Sequence, residues 1–278
     1  MGTYTGLAAT LIAAAAAVAD GTGGPTHQSQ HRPIQGRYVA VSVGTTECDV
    51  TKFGAKGDGK ADDTAAIQAA MDHCGAAGGG RVLLPAPHTY LVFSIHFSAS
   101  HTELHIPSGA TLLASNDIDG WRNGTVGSAI IVAQGLQHIA ITGGGTVDGQ
   151  GLPWWLRMHK HCPKTKCVFF RPHTVDFRSV TTAILSDTLY TNNPNHVLEL
   201  GCDYCELSGV STLNLPVDAT LPDGSCPAVT PASAGCWVTA SNTDSVDVHG
   251  SPFYIHGANF TSGDDNGTPN PFPSFVQI

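Results

Sequence analysis

The 278-residue sequence predicts an all-β protein: a parallel β-helix, wound as a single-stranded solenoid behind an N-terminal α-helical cap. Three observations predict it. Short apolar runs separated by Gly, Asn, Asp or Pro recur along the chain, and strands at such density mean sandwich, propeller or β-helix. No long amphipathic helical period follows residue 74. The one clear helical stretch comes first, which tips the choice, because a solenoid must cover the core and backbone of its first rung.

Taken in order, residues 1–19 read as a signal peptide: an alanine-rich run from Leu7 ends in Ala17-Val18-Ala19, an A-x-A cleavage pattern before Asp20. Residues 20–46 are polar and without period, so a flexible leading segment is expected. The β-helix domain is assigned to residues 47–265, incomplete at its C-terminal side, and residues 266–278 to an irregular Pro-rich tail. Within the domain, residues 49–53 form a short strand before a glycine-rich turn at 54–59. Asp62 or Asp63 then caps a helix over about residues 64–74, with Ala65, Ala66, Ile67, Ala70 and Met71 on its apolar side. Gly78, Gly79 and Gly80 end it, and residues 81–85 read as a strand. Further runs follow at 102–106, 110–113, 129–132, 138–141 and 146–148, then at 175–177, 183–185, 196–200, 205–207 and 246–248. Two segments break the rhythm, from Trp154 to Cys167 and from Asp218 to Ala240, and loops projecting from a solenoid commonly wall its groove.

Composition narrows the function. Lys plus Arg (13) falls well below Asp plus Glu (22), and the net charge of −9 argues against a nucleic-acid partner. A few local Arg or Lys residues can still hold an acidic substrate. The alanine-rich run is short for spanning a membrane. Eight cysteines, an even count, suit an oxidising compartment. Cys162 with Cys167, Cys202 with Cys205 and Cys226 with Cys236 read as local clips, leaving Cys48 with Cys74. Cys202 and Cys205 could be half a zinc site, but no second pair at metal spacing accompanies them, so a disulfide is preferred. No cofactor or metal is expected. Asn-x-Thr sequons at Asn123, Asn259 and Asn266 are compatible with a secreted glycoprotein.

The chemistry concentrates between Asn242 and Asn266. Asp244 is followed, 20 positions on, by the adjacent pair Asp264 and Asp265. If one coil takes roughly 20–25 residues, these carboxylates fall on neighbouring rungs stacked about 4.8 Å apart. They can then reach the roughly 6.5–9.5 Å separation of an inverting glycosidase. Neighbouring strand residues point to opposite faces, so Asp264 and Asp265 share a cleft only where the chain bends, and Gly263 permits that bend. Asp244 shares the parity of Val246 and Val248, so a turn near residue 245 must keep it out of the core. His249 and His256 read as groove or surface residues rather than catalysts.

Several phrases carry a resemblance: I-T-G-G-G-T-V-D-G-Q-G at 141–151 with Trp154-Trp155, Arg171-Pro172, Asn193-Pro194-Asn195-His196, and N-T-D at 242–244 followed by G-D-D at 263–265. Together, over roughly residues 48–265, they resemble the polygalacturonase-type glycoside hydrolases of family 28. The resemblance implies a right-handed β-helix, a secreted monomer and a polysaccharide partner, the α-1,4-galacturonan of pectin, with no nucleic acid and no membrane. It implies Asp264 as general acid, with Asp244 and Asp265 holding and deprotonating the attacking water so that the anomeric carbon inverts. Three crowded carboxylates cannot all ionise cheaply, so one should keep its proton and the pH optimum should be acidic. Asn242 and Asp247 are assigned to orientation and hydrogen bonding. Trp154 and Trp155 either stack on sugar rings or pack the first excursion.

Two departures matter. Ser245 stands where the family pattern has Gly. After Asp265 that pattern continues with Cys, further rungs, a G-H-G phrase and an R-I-K phrase, whereas this chain reads N-G-T-P-N-P-F-P and stops at Ile278. A truncated chain with weak or no activity is therefore expected. Two rival readings stay open: a polyuronide lyase on the same fold, needing calcium carboxylates and an Arg base, and a non-catalytic β-helix that binds wall polysaccharide.

Overall fold

Three columns of strands, all parallel, wind around one apolar interior. The computed structural model describes residues 41–122, 128–161, 170–227, 235–269 and 276–277. The signal peptide at 1–19, most of the leading segment, the Asn123 sequon and the Cys162–Cys167 pairing lie outside the described residues.

One column stacks β1 (Thr46–Asp49), β3 (Gly80–Leu83), β6 (Thr102–His105), β9 (Gln137–Thr142), the second halves of β11 (His173–Ser186) and β13 (Leu198–Ser208), then β18 (Phe253–His256) and β21 (Val276–Gln277). A second stacks β5 (Ile95–His96), β8 (Ala129–Gln134), the first halves of β11 and β13, then β17 (Val246–Val248) and β20 (Thr268–Pro269). A third stacks β2 (Asp58–Asp62), β4 (Thr89–Val92), β7 (Thr111–Ala114), β10 (Thr146–Asp148), β12 (Leu189–Thr191), β14 (Ser211–Leu213) and β19 (Asn259–Thr261). The architecture is the right-handed parallel β-helix that the sequence predicts.

Undecorated coils keep a near-constant length. Thr89 pairs with Thr111, 22 positions on, Val175 with Leu198, 23 on, and Asp247 with Thr268, 21 on. Leu198 pairs with Val246, 48 positions on, because the second excursion is inserted there without disturbing the ladder. In-register pairing puts like residues on top of one another. Val82, Leu104, Ile141, Leu185, Leu207 and Ile255 form one continuous inward stack over six rungs, and each is buried. Truncating a middle member to Ala would cost about 2–5 kcal/mol.

The corners are as regular as the strands. Gly79, His101, His138, Thr182 and Tyr204 occupy equivalent positions on successive rungs, and every one is left-handed, with φ between 57° and 101° except His138 at 55°. Four of the five carry a side chain, although that conformation costs a non-glycine residue roughly 1–2 kcal/mol. The rings of His101 and His138 stack at 4.9 Å.

At the N-terminal end the helix Thr64–Ala76 covers the first rung, burying Ile67, Ala70, Met71 and Cys74. Asp63 occupies the cap position without a side-chain cap bond, and Asp62 before it accepts the Thr64 N–H on Oδ1 at 2.9 Å. Asp63 is buried instead and accepts from the N–H groups of Lys56 and Gly57, at 2.6 and 3.0 Å, which pins the glycine-rich turn. Disulfides join Cys48–Cys74, Cys202–Cys205 and Cys226–Cys236, as the spacing suggested.

The first excursion starts as a helix, Leu152–His161, which no long period announces. Trp154 and Trp155 are buried, so the packing alternative holds and neither offers a face to a sugar. Trp155 donates from Nε1 to the Asn193 carbonyl at 3.0 Å. It also packs with Ala219, Val238 and Ala240 of the second excursion, whose limbs β15 (Val217–Asp218) and β16 (Trp237–Val238) pair antiparallel. The ladder also resumes beyond Asp265, where an irregular tail is expected: Thr268–Pro269 adds to β17 and Val276–Gln277 to β18. Proline fits there because it removes a donor but keeps its carbonyl.

Candidate active site

The chain approaches the site through a turn at Ser241 and Asn242, with Asn242 left-handed at φ 53°. Thr243 is buried and fastens two rungs, because its Oγ1 donates to the Ala240 carbonyl at 2.7 Å and accepts the Gly263 N–H at 3.0 Å. The chain bends at Ser245, as parity requires, so Val246 and Val248 enter the core while Asp247 faces outward. Serine is tolerated there because its φ is not positive. Its hydroxyl is buried against Thr212 Oγ1 at 2.8 Å, and its N–H donates to the Asp265 carbonyl at 2.9 Å.

Gly263 serves a different purpose from the one its sequence suggests. Its φ lies outside the left-handed region, but a Cβ there would sit 2.2 Å from the Ala240 carbonyl oxygen. Glycine is required by the close approach of the preceding rung, not by an unusual bend. Beyond it, Asp264 Oδ2 accepts from the Asn242 N–H and Oδ1 from the Asp265 N–H, both at 3.1 Å. Ser262 Oγ donates to the Asp265 carbonyl at 3.2 Å, which helps to hold the corner.

The outcome is convergence. Carboxylate oxygens of Asp244, Asp264 and Asp265 lie within 4.8 Å of one another, with Asp244 buried and the pair exposed. This is a separation between nearest oxygens; the roughly 6.5–9.5 Å of two inverting carboxylates is measured between the whole carboxyl groups. The oxygens come close because Asp244 and Asp265 occupy equivalent positions on adjacent rungs, one ladder spacing apart.

Two further side chains complete the site, and the sequence gives neither of them a role. Arg171 is buried; Nη1 donates to the carbonyls of Pro194 and Ser241 at 2.9 and 2.8 Å, and Nη2 to Asn242 Oδ1 at 3.0 Å. Burial pushes its pKa down to about 10, with Asp244 and Asp264 opposing. His196 donates from Nδ1 to Asp247 Oδ2, keeps Nδ1 3.6 Å from Glu199 Oε2, and directs Nε2 at Asp244 Oδ1 at 3.7 Å. Its hydrogen bonds to Asp247 and then Glu199 push its pKa up to about 10. Asp247 thus fixes the Nδ1 side of the His196 ring. Burial raises the pKa of Asp244, and Asp247 and Asp264 add to the rise while His196 opposes it.

Both phrases, Arg171-Pro172 and Asn193 to His196, are visible in the sequence, but only the ladder register carries them to Asp244. His249 is exposed and binds Glu199 Oε1 at 2.6 Å, while His256 is exposed on another column and binds Glu206 at 2.7 Å. By distance alone, the groups His173–His196–Glu199, His196–Asp244–Asp247 and the three-aspartate cluster could each ligate a cation.

Residues 74–272 match the profile of Glycosyl hydrolases family 28. The chain belongs to that family. Among its relatives, a polygalacturonase of Malus domestica is 28% identical over 199 residues, covering 69% of this chain and 41% of that protein. A polygalacturonase of Persea americana is 30% identical over 175 residues, covering 63% and 36%. This family 28 chain therefore spans about two fifths of the length of the curated relatives it matches. The exopolygalacturonase of Thermotoga maritima superposes with a TM-score of 0.62 at 19% identity, over 81% of this chain and 54% of that one. At that identity the likeness speaks to the fold.

Proposed function

We propose that this chain hydrolyses α-1,4-glycosidic bonds of galacturonan, the backbone of pectin, with inversion at the anomeric carbon. One observation carries the reading: three carboxylates from two adjacent rungs converge within 4.8 Å, one of them buried. A water donating two hydrogen bonds of about 2.8 Å at its own angle of about 105° spans roughly 4.4 Å between acceptors. Asp244 and Asp265 are spaced to share such a water and draw a proton from it as its oxygen attacks. Asp264, exposed beside them, donates a proton to the departing glycosidic oxygen. The substrate class rests on the names of the polygalacturonases to which the chain is similar. The three disulfides support a secreted location.

Turnover should be slow. Arg171, buried beside the site, already donates to three oxygens, which limits what it can offer a uronate carboxylate. The test is proton NMR of the reaction on oligogalacturonate. A β-anomer appearing first from the α-linked chain supports the reading, and an α-anomer refutes inversion. Asp244→Asn, Asp264→Asn and Asp265→Asn should each lower kcat by at least about 10²-fold. An unsaturated, ultraviolet-absorbing product would instead establish lyase chemistry, and binding without turnover a carbohydrate-binding solenoid.

A further inference from the structure

His196 stands between carboxylates on both of its nitrogens. Asp247 accepts from Nδ1, Glu199 lies 3.6 Å from the same atom, and Asp244 Oδ1 lies 3.7 Å from Nε2. A neutral imidazole has one N–H and can serve only one side; the imidazolium has two and serves both. Asp244 Oδ1 is the other half of the observation, because it is buried and has no hydrogen-bond partner. A buried lone pair left unmatched is costly. His196 Nε2, 3.7 Å away, faces it.

The remaining groups around the ring sharpen the case. His173 stacks its ring edge-on at 5.2 Å, and burial, with the neighbouring His196 next, pushes its pKa down, so it adds no competing cation. His249 binds Glu199 Oε1 at 2.6 Å, while Oε2 of the same carboxylate faces His196. Arg171 is close enough to feel Asp244 and Asp264, but its hydrogen bonds run to Pro194, Ser241 and Asn242. Among the described residues, His196 is left as the cation that faces Asp244.

We propose that His196 is a positioning residue: clamped by Asp247 as an imidazolium, it holds the buried Asp244 ionised and aligned to take a proton from water. Without that charge, burial and the neighbouring Asp247 and Asp264 would protonate Asp244 near the working pH and remove the base. The inference rests on the hydrolytic reading of Asp244, yet the pairing can be measured without turnover.

The experiment follows the carboxyl carbon of Asp244 by NMR in the full chain labelled at aspartate, with Asp244→Asn assigning the signal. In His196→Gln the Asp244 titration midpoint should rise by about one pH unit or more; an unmoved midpoint overturns the proposal. Asp247→Asn provides a second route should the first variant not fold. The His196 ring should then titrate at lower pH, and a ring that titrates as before overturns the clamp. In hydrolysis, the acid limb of kcat/KM should move with the Asp244 midpoint while KM changes little. A loss of rate uniform across pH would assign His196 a merely structural role. If the unmodified chain hydrolyses nothing, the activity reading falls, and the carboxyl titration still decides whether His196 governs Asp244.

Discussion

Gly263→Ala separates two explanations for one glycine. The added Cβ would lie 2.2 Å from the Ala240 carbonyl oxygen and 2.7 Å from its carbon, against the 3.0 Å that real contacts respect. The corner must therefore retreat by about 0.8 Å. That retreat lengthens the Gly263 N–H to Thr243 Oγ1 bond, now 3.0 Å, beyond useful range. Overpacking costs about 1–3 kcal/mol and the lost hydrogen bond about 1 kcal/mol, so a loss of about 2–4 kcal/mol is expected. Urea unfolding followed by tryptophan fluorescence measures it. Gly267→Ala is the matched control: nothing lies within 4 Å of its added Cβ, and a change within about 0.5 kcal/mol is expected. Because Asp264 rides on the displaced corner, kcat should also fall by about 10²-fold. Equal unfolding midpoints for the two variants would refute the close-approach argument.

Arg171→Lys keeps the charge but cannot reach Pro194, Ser241 and Asn242 with one nitrogen; a loss of about 2–3 kcal/mol is expected, read from the unfolding midpoint. Replacing Cys48 and Cys74 together by Ala opens a link between residues 26 apart and should cost about 3–4 kcal/mol, with the loss reproduced by reductant. His196 gives a pH dependence of known sign. Its pKa is raised from 6.5 to about 10 on folding, so its contribution is complete below 6.5 and is lost as pH rises through about 10. Unfolding free energy measured across that window should fall in the unmodified chain and fall less in His196→Gln.

Much of this was legible because a solenoid writes its period into the sequence. Strands such as Thr146–Asp148 and Val246–Val248 stand out by their apolar alternation, and Asp244 with Asp264 and Asp265 by a one-coil interval. The strands Thr89–Val92, Leu189–Thr191 and Ser211–Leu213 were not legible, since their buried positions include Tyr90, Tyr190 and Thr212, whose polar atoms blur the apolar alternation. The helix Leu152–His161 is hidden because its partners are distant: Trp155 buries itself against a hairpin some 60–80 positions away, and Trp154 against the main core. His196 and Arg171 illustrate the limit at the site. They lie far from Asp244 in sequence, and only the pairing of Leu198 with Val246 closes that distance. The role of Gly263 was misread because its constraint comes from Ala240, a neighbour in space that no local pattern reveals.

The coil that carries the second excursion keeps step with its neighbours although it is more than twice their length. Such tolerance divides the hairpin into two zones with different freedoms. Toward the Cys226–Cys236 link, substitutions and length changes should leave the ladder, and with it the acids, in place. At its returning end the freedom stops, because Ala240 is at once the last residue of the wall's packing and the surface on which the corner of Asp264 and Asp265 is seated. A variant library that spares this alanine can diversify the hairpin without unseating the corner that carries Asp264 and Asp265.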